Sequence, residues 1–470
     1  MLQGLPSALR DWLVNDSSRR DRHFWALDAS VALADLANGS SLHSDLRELE
    51  GRSVLVATSE QLTTGLALIE LDGVARRLTL LPPDMRSEYL PAAVANAEID
   101  VIVTDREAQD YGTLGVSRVV TCSSVIAPIT NVGLTRRKTE WVLFTSGTTG
   151  MPKMVVHTLD GLTAAIKRRE IPDPSIIWGT YYDIRRYGGL QIFFRAILDG
   201  GSLILSNAHE AAADYLVRLG KLGVTHMTGT PSHWRRALMT PNANAISPQY
   251  CRLSGEIADQ AILDALHASY PQARIGHAYA STEAGVGFDV NDMLAGFPAN
   301  MIGRNGLDGD VQMKIVDGSL RIRSKGAAVR YLGDESAPLV DEEGYIDTGD
   351  ILEQRGGRYY FVGRKGGIIN VGGLKVHPEE VEAIINRHPD VRMSLVYPRK
   401  NPITGTVVAA DVVLKENFDM AGTDPRVVTL RRDILLYCRE KMAQHKVPVT
   451  IRFVPTLTMN ATGKLVRQNA

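Results

Sequence analysis

Thr145-Ser-Gly-Thr-Thr-Gly-Met-Pro-Lys153 joins small hydroxyls, glycines and a lysine directly after the apolar run Trp141-Val-Leu-Phe144. The apolar run reads as the end of a buried strand. A loop of this composition curls its backbone N–H groups around an anion, with Thr145, Ser146, Thr148 and Thr149 adding hydroxyl donors beside Gly147 and Gly150. Lys153 contributes a compact positive charge. These are the parts that hold a triphosphate. The spacing excludes a Walker loop, which needs four residues between its glycines and Lys-Ser/Thr directly after the second. A polar hairpin turn is the plain alternative. It accounts for the glycines and threonines but not for a lysine after a strand.

Residues 144–154 closely resemble the phosphate loop of the adenylate-forming superfamily: acyl- and aryl-CoA synthetases, peptide-synthetase adenylation domains and luciferases. Phe144 stands at the loop's aromatic position and Met154 at its last glycine, both mild departures. Further segments follow in family order. Ser254-Gly255-Glu256 resembles the Ser-Gly-Ala segment that lines the adenine pocket. Gly276-His-Ala-Tyr-Ala-Ser-Thr-Glu283 resembles the Tyr-Gly-x-Thr-Glu segment, with Ala280 in place of glycine. Tyr345-Ile-Asp-Thr-Gly-Asp350 matches Tyr-x-Thr-Gly-Asp. Gly363-Arg-Lys-Gly-Gly-Ile-Ile-Asn-Val-Gly-Gly373 resembles the hinge and the glycine-rich segment after it. Asn460-Ala-Thr-Gly-Lys464 matches the segment of the catalytic lysine.

The resemblance implies adenylation of a carboxylic acid. Oxide is a poor leaving group; AMP is a good one. The acid's oxygen attacks the α-phosphate of ATP and pyrophosphate leaves, so two anions must be held together while charge grows between them. Residues 145–150 with Lys153 are expected to hold the β- and γ-phosphates. Glu283 offers Mg²⁺ a hard carboxylate oxygen, with the Thr282 hydroxyl nearby. Tyr279 offers a flat face for the purine, and His277 a contact to its edge. Asp350 is expected to accept the ribose hydroxyls, with Gly255, Glu256 and Arg364 completing the nucleotide site. Lys464 is expected to touch both the carboxylate and the α-phosphate, a task suited to a point charge on a flexible stem. Each has a bland alternative: a structural histidine at His277, a turn aspartate at Asp350, a helix N-terminal residue at Glu256.

The second half-reaction needs a thiol. In the family the C-terminal domain swings about the hinge, withdrawing the lysine and bringing in the glycine-rich segment, here Gly372 and Gly373, to line a pantetheine channel. The pivot position, usually Asp or Lys, is Gly366 followed by Gly367, and Asn370 replaces a common lysine. The acceptor is expected to be CoA. A carrier-protein phosphopantetheine is the alternative, and a catalytically quiet adenylate-binding protein is the alternative of another class. The acyl pocket is expected along 181–189 and 226–231. Arg185 and Arg186 there are either a solvated pair or partners for a second acid group or a phosphopantetheine arm, and Tyr187 is a candidate gate.

The rest of the chain must position these groups. Its 470 residues suggest two or more domains. A hydrophobic content of 44% with 22% charged residues is ordinary for a globular protein, and a net charge of -1 gives no sign of nucleic acid or an anionic membrane. Three scattered cysteines suit a reducing compartment, and the N-terminus lacks a signal-peptide pattern, so a cytoplasmic location is expected. The most apolar stretch, 190–205, is broken by Arg195 and Asp199, so no membrane span is expected. Oligomeric state stays open.

Short apolar runs at 53–58, 101–104, 202–206, 225–228, 252–254 and 275–279 predict strands. Amphipathic runs at 210–222 and 258–269 predict helices. The expectation is an α/β protein. Residues 1–363 form a large domain of layered, mostly parallel sheets with helices and a β-rich subdomain past Gly318. Residues 364–470 form a small, mobile α+β domain carrying the lysine. Pro378 followed by Glu379 and Glu380 marks a helix start in the latter.

Overall fold

The computed structural model describes residues 8–15, 21–112, 114–129, 136–145, 151–167, 169, 173–303, 310–333, 338–371, 373–401, 405–415, 425–460 and 463–466. Two eight-stranded sheets dominate. In the first, Ile177–Thr180, His226–Gly229, Tyr250–Ser254 and Arg274–Ser281 run parallel and side by side, and Gly285–Val290 closes one edge antiparallel. The N-terminal strand His23–Trp25 pairs in parallel with Ser202–Ile204 in this sheet. In the second, Glu140–Phe144, Arg77–Leu80, Ser53–Val56 and Val101–Thr104 form a parallel centre. Met154–Thr158 and Arg330–Leu332 extend it antiparallel.

The helices Gln61–Leu71 and Tyr187–Leu198 pack into the core shared by both sheets. Every residue of the first is buried, as a helix covered on all sides requires. Gly65 lets the two helices approach: a Cβ there would stand 3.0 Å from the Phe193 ring. Trp141 meets Phe194 edge-on at 5.4 Å and donates its indole N–H to Asp72 Oδ1 at 3.1 Å. The root of the strand Glu140–Phe144, which leads into the expected phosphate loop, is therefore held by both packing and a buried hydrogen bond.

A five-stranded antiparallel sheet follows, containing Val311–Val316, Ser319–Ser324, Ile346–Arg355 and Arg358–Arg364. Beyond it, Val391–Asn401, Gly405–Leu414 and Thr450–Phe453 form a small sheet. That sheet and the helices Pro378–Ile385 and Pro425–Lys441 share a hydrophobic core of their own. The layered α/β body, β-rich portion and α+β C-terminal portion agree with the sequence-based expectation. The large sheets are mostly parallel, with antiparallel strands toward their edges, and the longest C-terminal helix runs over Pro425–Lys441. No helix among the described residues is long and apolar enough to cross a membrane.

Candidate active site

Three parallel strands of the first sheet end together, because Gly229 is in register with Leu253 and Ser254 with Ala278. The loops after those ends carry Thr230, then Gly255 and Glu256, then Thr282 and Glu283. A crevice at the carboxyl ends of parallel strands is the usual binding position in open α/β sheets. The antiparallel sheet adds two more groups, since Asp350 and Arg364 are direct cross-strand partners.

Asp350 is buried and doubly bonded. Its Oδ1 accepts from Arg364 Nε at 2.9 Å, and its Oδ2 from the Tyr279 hydroxyl at 2.5 Å. Tyr279 lies nearly parallel to Phe361, 5.0 Å away, so one ring face is already covered. Burial and the neighbouring Asp350 carboxylate push the Tyr279 phenol well above its ordinary value. Each Asp350 oxygen keeps a lone pair for another donor.

Lys464 enters this group from the C-terminal portion. A Cβ on Gly255 would stand 3.6 Å from Lys464 Cε, so the lysine stem lies over that glycine. Gly255 also has a φ of +86°, which glycine adopts without strain. Burial lowers the Lys464 pKa, Arg364 and Arg186 lower it further, and Glu256 and Asp350 oppose them. The lysine loop is docked by backbone contacts. Thr230 Oγ1 donates to the Gly463 carbonyl at 2.7 Å, and Glu256 Oε1 accepts from Leu465 N at 3.1 Å. Gly463, at φ +71°, lies so close to the His233 ring that any Cβ would overlap it.

Glu283 and Arg364 line a cleft of about 380 Å³ with Ser281, Tyr331 and Thr348. The Glu283 carboxylate makes no hydrogen bond or ion pair with the described residues. Lys153 Nζ sits 4.5 Å from the centre of the ring of Tyr331, one of the residues lining that cleft. Thr145 N donates to the Lys153 carbonyl at 2.9 Å, across the base of the expected phosphate loop. Residues Ser146, Gly147, Thr148, Thr149 and Gly150, and Gly372, lie outside the described residues. Gly373 has a φ of +87° with open space around it. His157 Nε2 donates to the Thr282 carbonyl at 2.8 Å, and burial lowers the pKa of this histidine to about 4.

Several expected residues have other employment. His277 is buried and its Nε2 donates to the Leu294 carbonyl at 3.0 Å, which leaves Nδ1 as an acceptor. Glu256 spends both oxygens on backbone N–H groups: Leu465 N, and Ser232 N at 2.9 Å. Arg185 is buried rather than solvated. It forks onto Asp183 at 2.8 and 2.6 Å and donates to the Thr58 carbonyl at 2.5 Å. It is thus a brace with no charge free for a second acid group. Arg186 pairs with Asp84, and Tyr187 is buried beside His157 at 5.8 Å. Sequence reasoning placed Thr230 within the acyl-pocket stretch 226–231 without giving it this docking contact, and missed His233. Their signal was Thr-Pro-Ser-His, a helix N-cap with Pro at the first position; the helix Pro231–Leu238 indeed starts there with a capping box.

The chain matches the model of the AMP-binding enzyme family over residues 75–328 and that of the AMP-binding enzyme C-terminal domain over residues 380–464. It belongs to the AMP-binding enzyme family. It is 26% identical over 357 residues to 4-coumarate–CoA ligase 3 of Arabidopsis thaliana, a match covering 69% of this chain and 61% of that protein. The chain thus spans about three fifths of that ligase's length. With 2-succinylbenzoate–CoA ligase of Salmonella typhimurium it shares 25% identity over 427 residues, covering 89% of this chain and 86% of the relative. Its fold is similar to that of the anthranilate CoA ligase AuaEII in complex with anthranoyl-AMP. The TM-score is 0.78 at 18% identity, over 98% of this chain and 96% of the other.

Proposed function

We propose that this protein activates a carboxylic acid with ATP to an acyl-adenylate and then transfers the acyl group to the thiol of CoA. The observation that carries the reading is the docking of Lys464 over Gly255, among Asp350, Arg364 and Glu256. A half-buried cation at the carboxyl ends of the strands is suited to a step in which two anions react.

In this reading residues 1–363 bind ATP and acid, and residues 364–470 are the moving unit. Asp350 accepts the ribose hydroxyls while Tyr279 and Arg364 hold its carboxylate in place. The acceptor Nδ1 of His277 suits the adenine amino group. Residues 145–150 and Lys153 hold the outer phosphates. Glu283, whose carboxylate has no partner among the described residues, fits Mg²⁺, which would supply charge neutralisation when bound. Thr282 lies beside it, its carbonyl fixed by His157. The acid's oxygen bonds to the α-phosphorus as the bond to pyrophosphate breaks. Lys464 stabilises the charge between them. A thiol, losing its proton, then attacks the acyl carbonyl and AMP departs.

The test is pyrophosphate release over a panel of aryl, short-chain, long-chain and amino acids, followed by product analysis with CoA or with a phosphopantetheinylated carrier protein. Release with one acid class and acyl-CoA as product is expected. Transfer to the carrier protein alone would replace CoA as acceptor, and no release with any acid would overturn the reading.

A further inference from the structure

We infer that Glu256 is a latch that holds the lysine loop in its docked position, and so a positioning residue for adenylation alone. This rests on the two-step reading above. Glu256 follows Gly255 at the end of Tyr250–Ser254, and its two carboxylate oxygens point in different directions. Oε2 accepts from Ser232 N at 2.9 Å, in the first turn of the helix Pro231–Leu238. Oε1 accepts from Leu465 N at 3.1 Å, one residue after the lysine. One side chain therefore ties the rim of the expected acyl pocket to the backbone that aims Lys464.

The rest of the loop is shaped to meet this latch. Asn460 Oδ1 accepts from Lys464 N at 3.0 Å, Asn460 N donates to the Lys464 carbonyl at 2.9 Å, and Val466 N donates to the Thr458 carbonyl at 3.0 Å. The turn thus satisfies its own polar groups on either side and leaves the Leu465 N–H pointing outward, to Glu256. The carboxylate also offsets part of the burial that opposes the charge on Lys464. An N–H accepted by an ionised carboxylate is among the stronger hydrogen bonds. The bond joins the C-terminal portion to the body, so a swing that withdraws the lysine must break it. A thiol-transfer state has no use for it.

Two variants test the latch from opposite sides. Glu256→Ala removes the acceptor, and Leu465→Pro removes the donor, an N–H the turn does not use. Proline also restricts Lys464 before it and removes the packed Leu465 side chain, so Glu256→Ala decides where the two differ. In the protein without substrates, amide hydrogen exchange over residues 460–466 should accelerate in Glu256→Ala. In single-turnover assays both variants should lose adenylation by roughly tenfold to hundredfold. Thioester formation from a supplied acyl-adenylate should stay near the wild-type rate. The double variant should be no worse than the poorer single one. Unchanged exchange in Glu256→Ala would overturn the latch whatever the reaction proves to be. Equal losses in both half-reactions would reduce Glu256 to a general structural support. Failure of the wild type to release pyrophosphate with any acid would instead strike the proposed function, leaving exchange to decide the latch.

Discussion

Lys464 brings a positive charge into a buried site, and four neighbouring charges decide how firmly it keeps its proton. Burial dominates and lowers its pKa below the ordinary 10.5; Arg364 and Arg186 act the same way, against Glu256 and Asp350. The cation is the form that neutralises the growing charge, so adenylation should fall as pH rises, with a midpoint below 10.5. The check is the pH profile of pyrophosphate release, compared with the residual activity of Lys464→Arg, whose guanidinium does not titrate there and should show no alkaline limb. Lys464→Ala should lose adenylation by roughly 10²–10³ while still passing a supplied acyl-adenylate to CoA. Comparable losses in both steps would show that the lysine does not belong to the first alone. Asp350 makes a different prediction. Asp350→Ala removes the acceptor for the ribose and also for the Tyr279 hydroxyl. The KM for ATP should rise by roughly tenfold or more, with little change for the acid. Equal rises for both substrates would count against a ribose role.

The elements that place these residues differ in how openly the sequence announces them. The apolar runs at 53–58, 101–104 and 275–279 and the periodic run at 258–269 became strands and a helix close to the expected limits, because burial on two faces or one writes a direct pattern. The buried helix Gln61–Leu71 was hard to read, since a helix covered all round has little amphipathic contrast. The pairing of His23–Trp25 with Ser202–Ile204 was not legible, as nothing local encodes a partner so distant in the chain. The motifs singled out Glu283 and Lys464 because the expected chemistry demands a carboxylate and a cation there. They read poorly at Glu256 and Arg185, whose partners come from other elements. Asp72 shows the cost of such distant ties. It accepts from Trp141 Nε1 and, at 2.9 Å, from Leu9 N. Asp72→Ala should destabilise the protein by about 2–4 kcal/mol in urea unfolding, since two buried donors lose their acceptor. Burial raises the Asp72 pKa from 3.8 to about 7. The native state then holds this proton more tightly than the unfolded chain. The wild type's advantage over Asp72→Ala should therefore shrink as pH rises from about 4 to about 7 and level off above. A constant difference across that range would mean that the donors keep Asp72 ionised.

Across the whole molecule, the docked arrangement combines packing of Met239 against Met393, Leu395 and Leu457 with polar contacts between the C-terminal portion and the body. Glu256 meets Leu465, Thr230 meets Gly463, and Asn386 Nδ2 donates to Asp259 Oδ2 at 3.2 Å. Contacts of this kind can be exchanged, as a swinging unit requires. The chain between the two parts contains Gly366 and Gly367 in a short turn, with no atom within 4 Å of where a Cβ on either would stand. Lys365, just before them, is anchored to Asp347 at 2.9 Å, so rotation on the body side is restrained and the glycines are the freer torsions. Gly366→Pro tests this. Proline fixes φ near -65° and restricts the residue before it, while the open space around Gly366 leaves room for the ring. The variant should fold, keep at least part of its adenylation and lose most thioester formation. Pyrophosphate release and acyl-CoA formation, measured on the same preparation, give the answer. Thioester formation at the wild-type rate would move the pivot to Gly363 or Lys365. Loss of adenylation with thioester transfer intact would mean that proline favours the other orientation, and that the docked lysine is not the arrangement this turn prefers.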